Sequence, residues 1–176
     1  MKTIFWPLLI LVVLSVGLLV YVEYSSAQLP ERFATHFGAN GTPDGWMGKD
    51  ENVSFVAVMG IGIPWLIVGL GLLTRFLPNY LFNLPNKDYW LSPERKTQTC
   101  LYVCRYIIWM MCITVLLFAG GQYSIVKANQ SSPVKMSMSL FGVILFGYLA
   151  AMLLLTLPIY QHFSKKPIEE NNNIQI

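Results

Sequence analysis

Few side chains in this sequence could do chemistry, and most of them fall in two polar stretches. The first, Leu29 to Lys49, reads LPERFATHFGANGTPDGWMGK and carries His36, Asp44, Trp46 and Lys49. A histidine titrates near neutral pH and could act as a switch, and an acid, an indole and an ammonium beside it provide varied recognition chemistry. The second stretch, Asn83 to Arg95, carries Asn86, Lys87, Asp88, Trp90, Glu94 and Arg95. Catalysis needs clustered acids, bases or nucleophiles within mutual reach. Only His36 with Asp44, and Asp88 with Glu94, offer that here. The sequence contains no Gly-x-Ser-x-Gly, no His-Glu-x-x-His and no phosphate loop. The expectation is a protein that is not an enzyme.

Plainer roles exist for the same residues. Asp44 can cap a turn and Trp46 can anchor at a membrane interface, while Pro30, Gly38, Gly41, Pro43 and Gly45 shape the loop backbone. Cys100, Cys104 and Cys112 all lie in or beside one apolar run, and a Cys-x-x-x-Cys spacing without histidine is a poor zinc pattern. They read as small apolar helix residues, with no disulfide framework, metal or cofactor expected. Arg105 sits about one turn inside a helix entry. It reads as a cation snorkelling to headgroups, with a buried functional charge as the sharper alternative. His162 reads as a headgroup-level residue.

Those residues must be positioned by something, and composition says what. The chain has 176 residues, of which 55% are hydrophobic and only 12% charged, against about 25% charged in soluble domains. This is one domain of membrane class, with the lipid bilayer as its first partner. A net charge of +3 without a basic cluster on one polar element is a topology signal and excludes nucleic acid as a partner.

Four uncharged runs follow: Thr3 to Val22, Asn52 to Thr74, Tyr106 to Val126 and roughly Ser139 to Tyr160. Each is long enough to cross a hydrocarbon core of about 30 Å. The first competes with a secretory signal peptide, since Ser25-Ser26-Ala27 resembles a cleavage site. Its run exceeds the usual apolar core of about 7–15 residues, so it is expected to stay as a span. The fold class predicted is an all-α membrane protein: four transmembrane helices with a short extracytoplasmic β-hairpin or compact loop between helices 1 and 2. Its parts are residues 1–75, a loop at 76–99, helices 3 and 4 at 100–161, and a tail at 162–176 expected to be disordered.

Between helices 1 and 2, Phe33, Thr35 and Phe37 alternate with Arg32, Ala34 and His36, a period-2 pattern. Asn40-Gly41 and Pro43-Asp44-Gly45 are turn signals, after which Trp46 to Lys49 forms a second segment. Phe33, Phe37 and Trp46 should face lipid or the helix tops. Asp50 and Glu51 suit an N-cap and first turn. Within helix 2, Pro64 and four glycines predict a kink or a close contact, with Gly62 and Gly69 sharing the contact face. A substrate pathway at a broken helix is the sharper reading. Pro78 and Pro85 interrupt the second loop, and Ser92-Pro93-Glu94-Arg95 is a helix start. Helix 3 should begin near Ser92, run along the interface, enter at Cys100, and end at Gly120-Gly121 or shortly after. In helix 4, Gly142, Gly147, Ala150 and Ala151 offer small residues for packing.

With four spans, both termini share a side. Lys2, Arg75, Lys87, Arg95, Lys96, Arg105, Lys165 and Lys166 fall on it, eight of the twelve basic residues. The positive-inside rule then predicts cytoplasmic termini and an outward-facing Leu29–Lys49 loop.

Leu29-Pro30, His36-Phe37, Gly41-x-Pro43-Asp44-Gly45-Trp46 and Lys49 resemble the signature of bacterial membrane proteins of domain-of-unknown-function family 1648. The resemblance covers about residues 5–75. The loop from Asn83 to Arg95 is similar to the one that follows this domain in many members. The domain also stands at the front of larger SdpI-type immunity and signalling proteins. The resemblance therefore implies a bacterial inner-membrane protein with a receptor- or immunity-like role. The function expected is non-enzymatic recognition of a ligand, peptide or protein partner at the outer loop. The alternative is a component of a small-solute transporter or channel. Oligomeric state is left open.

Overall fold

The computed structural model describes residues 2–165; the expected disorder of the tail falls for residues 166–176 outside the described residues. Among the described residues, four helices are long and apolar enough to cross a membrane. The first is α1 (Lys2–Ala27). A two-stranded antiparallel hairpin follows, β1 (Arg32–Phe37) and β2 (Pro43–Gly48). The second span is continuous from Lys49 to Phe76 and contains α2 (Lys49–Val56), a π-helical segment (Ala57–Gly62) and α3 (Ile63–Leu73). After 3₁₀ turns and the short α4 (Lys87–Trp90) come α5 (Lys96–Asn129) and α6 (Met138–Ser164). The expected all-α membrane architecture with a hairpin between helices 1 and 2 is the one observed.

The core is a seam shared by α1, the second span and α5. On α5 it consists of Cys104, Ile108, Met111, Cys112 and Val115, an i, i+4, i+7, i+8, i+11 stripe. Leu11, Leu18 and Val22 meet it from α1, with Val56 and Val68 from the second span. Trp65 Nε1 donates to Ser15 Oγ at 3.1 Å, pinning α3 to α1. All three cysteines are free and buried, Cys104 and Cys112 within this seam. By contrast α6 packs mainly on α5, and its apolar side chains remain exposed on most of its circumference.

Several boundaries differ from expectation. Pro43-Asp44-Gly45, read as a turn, forms the start of β2, because the turn closes earlier. Gly38 N–H donates to Thr42 O at 2.9 Å, and Asn40 Oδ1 accepts from the Thr42 amide and hydroxyl. The N-cap of the second span is Gly48, not Asp50, since β2 runs straight into the helix. Gly48 N–H donates to Glu51 Oε2 at 2.8 Å, while Asp50 and Glu51 occupy the first turn at the positive end of the dipole. Helix 3 starts at Lys96, just after the Ser92–Arg95 turn, and passes through Gly120-Gly121 to Asn129.

The contact glycines are also different ones. A Cβ on Gly60 would lie 2.9 Å from the Phe118 ring, and one on Gly71 3.3 Å from Ile107, whereas Gly69 has open space around it and Gly62 meets only its own turn. Gly60 and Gly71 are about three helical turns apart and so share the face turned to α5. Pro64 explains the π segment. It lacks the N–H that would reach the Gly60 carbonyl, and Ile63 N–H instead bonds Val58 O, five residues back.

Candidate functional site

The site is built along one line of α5. Ile108, Val115, Gln122 and Asn129 recur every seven residues and therefore lie on one face. The first two are buried core; the last two carry amides. Gln122 Nε2 donates to Ser25 Oγ at 3.0 Å, and Asn52 Nδ2 donates to Gln122 Oε1 at 3.1 Å and to Ser26 Oγ at 3.2 Å. All four residues are buried, so this cluster joins α1, α2 and α5 through satisfied polar groups. One heptad further on, Asn129 acts like a missing strand. Its Oδ1 accepts from Ala34 N–H at 2.9 Å, and its Nδ2 donates to Ala34 O at 2.7 Å. The free edge of β1 is thereby closed onto the helix end.

The hairpin tip is held from a second direction. Gly41 has φ +78°, and a Cβ there would lie 2.5 Å from the Met136 carbonyl oxygen. Met136 N–H donates to Gly41 O at 2.9 Å, tying the tip to the α5–α6 link. Phe33 is buried beneath the hairpin, Phe37 is half-buried, and Trp46 is about half exposed.

Of the four residues singled out for recognition, the fold brings two together. His36 Nδ1 and Asp44 Oδ1 are 2.5 Å apart, with the side chains 76% and 51% exposed. Gly45 lies opposite His36 in the register, and its missing Cβ is what admits the imidazole: a Cβ there would come within 2.9 Å of His36 Cβ. Lys49 is elsewhere. Its Nζ pairs with Glu31 at 3.3 Å and lies 3.5 Å from Ala27 O, a cation at the carbonyl end of α1. Trp46 faces Ala34 across the ladder. Pro30 leads into β1 from the end of α1, and Gly38 closes the turn.

His36 also lines a cavity of about 330 Å³ under the hairpin. Its floor is α5 (Phe118, Gly121, Ile125), its walls are Phe55 of α2 and Phe141 and Leu145 of α6, and its roof is Thr35, His36 and Met47. Asn52 and Gln122 stand at its polar end. It exists because α6 leans on α5 without closing against the second span. Hydropathy alone could not reveal this: Gln122 and Asn52 are uncharged, so they blend into the apolar runs around them.

The second polar stretch is organised at the opposite end. Asn86 adopts φ 52°, and its Nδ2 donates to Phe163 O at 3.0 Å, clasping the end of α6. Trp90 packs on His162 and Phe163, and His162 in turn stacks on Tyr102 at 4.5 Å. Arg95 lies over the Tyr89 ring at 4.2 Å. Backbone and Ser92 hydrogen bonds, helped by Arg95, hold the Glu94 carboxyl below its usual pKa, as befits a turn cap. Lys87 and Asp88 are exposed in the first turn of α4. His162, expected at headgroup level, is thus part of an aromatic stack. Among the described residues no group of three or more His, Cys, Asp or Glu could hold a metal.

The chain is 29% identical over 139 residues to an uncharacterized protein of Archaeoglobus fulgidus, covering 76% of this chain and 74% of that relative. That relative is archaeal, whereas the sequence signature suggested a bacterial family. No solved structure matches. Residues 8–61, from α1 through the hairpin into the π segment, match the family described as Domain of unknown function (DUF1648). The four long apolar helices make this a multi-pass membrane protein, and its residues 8–61 are similar to the DUF1648 domain.

Proposed function

We propose that this is a non-enzymatic recognition protein, immunity- or signalling-like, whose hairpin end faces outward and takes a ligand or protein partner. The observation that carries it is the exposed His36–Asp44 pair, whose histidine lines the cavity beneath the hairpin. Recognition sites are concave, mostly apolar, and hold a few placed polar groups. This one has apolar helix walls, with Thr35, His36, Asn52 and Gln122 as its polar members. The hairpin is fastened at both strand edge and tip, which favours a preformed site. The eight-to-four excess of basic residues on the far side supports the outward orientation.

The test uses cells deleted for the gene, with the altered transcript profile as readout. His36→Ala and Asp44→Ala should fail to restore the wild-type profile while reaching full membrane abundance. Restoration by both variants would overturn the reading. Loss of abundance would assign the pair to folding of the hairpin instead.

A further inference from the structure

We propose that Arg105 forms a second site, at the membrane end opposite the hairpin, for the phosphate of a phospholipid headgroup. Arg105 lines a cleft of about 400 Å³ between Pro7 of α1 and Leu155 of α6, with Tyr106 and Trp109 beside it. Its guanidinium lies 5.3 Å from the ring centres of both Tyr102 and Tyr106. Among the described residues it makes neither an ion pair nor a hydrogen bond to protein. A half-buried guanidinium in a membrane span normally finds a partner. Here its planar fork of five donors is steadied by two rings and faces open space. That fork matches a phosphate bidentately.

The position selects the ligand. Tyr102 also stacks on His162, which packs on Trp90, so Arg105 sits just beneath the polar end of the bundle. A headgroup phosphate stands at that level, and the cleft below, walled by Leu155, Pro7 and Trp109, suits the start of an acyl chain. A snorkelling arginine on an open helix surface needs no such cleft. The phosphate could come from lipid or from solution, and the apolar lower wall favours lipid.

Full-length protein purified in detergent is examined by native mass spectrometry with added phosphatidylglycerol, and separately with inorganic phosphate. Wild type should retain lipid adducts, and Arg105→Gln should lower their occupancy about tenfold. Arg105→Lys should fall between the two. Arg75→Gln removes the same charge from an exposed position at the same end and should leave occupancy unchanged. If Arg105→Gln fails to fold, Leu155→Trp fills the cleft from α6 and should also displace the lipid. Equal losses in Arg105→Gln and Arg75→Gln, or no loss in Arg105→Gln, would overturn the site. Inorganic phosphate displacing the lipid at equal concentration would assign the site to a free anion and overturn the lipid source.

Discussion

Gln122 is the residue on which three helices depend. Removing its amide leaves the Asn52 amide and the Ser25 hydroxyl each short of a partner inside the bundle. Interhelical hydrogen bonds in membranes contribute about 0.6 kcal/mol on average, up to about 1.7. Gln122→Leu should therefore destabilise the protein by about 1–2 kcal/mol in a detergent thermal or steric-trapping assay. Because Asn52 shares the same partner, Asn52→Leu with Gln122→Leu should cost less than the sum of the singles. Additive losses would mean the two amides act separately. At this scale the sequence was only partly legible. His36, Asp44 and Gly41 announce themselves by type and turn context. Gln122 and Asn129 do not, because an amide in an apolar run carries no charge to mark it, and Ser25-Ser26 reads as a cleavage site as readily as a helix contact. Lys49 was legible as a cation but not as the group that closes α1.

Elements hold their places here through a few close approaches. The hairpin is docked by Asn129 at its edge and Gly41 at its tip, one contact on β1 and the other on the turn between the strands. Asn129→Ala should raise amide exchange across residues 32–48 while leaving α5 protected, since the helix itself keeps its ladder. Gly41→Ala should do the same more strongly, combining a left-handed backbone penalty of about 1–2 kcal/mol with a clash against Met136. Unchanged exchange in both would show that the hairpin stands without α5. In the second span, Gly60→Ala should push Phe118 away and loosen the π segment from α5. Gly69→Ala should be neutral or stabilising, as alanine is the better helix former by about 1 kcal/mol. Measured thermal midpoints in the reverse order would contradict the packing face. Helix existence and the hairpin were legible from apolar run length and period-2 alternation. The contact face was not: Pro64 converts one turn to π geometry, and that shift leaves Gly60 and Gly71, not Gly62 and Gly69, against the neighbour.

For the whole molecule, the consequential feature is that, among the spanning helices, α6 packs mainly on α5. Three helices make the core, and the fourth leaves a cavity on one flank below the hairpin and the Arg105 cleft at the other end. Transport remains the alternative to recognition, and it predicts solute flux in proteoliposomes. The charges of the spans cluster toward their ends, which suits a protein that binds at its faces rather than one that conducts through its centre. Sidedness decides whether the hairpin site meets ligands from outside. Cys100, Cys104 and Cys112 are buried and should not react with a membrane-impermeant maleimide, so single cysteines can be introduced on the native background. Asn40→Cys at the hairpin tip should label in intact cells. Asp88→Cys at the opposite end should label only after the membrane is opened. Labelling of both from the same side would contradict the four-span arrangement and, with it, the outward site.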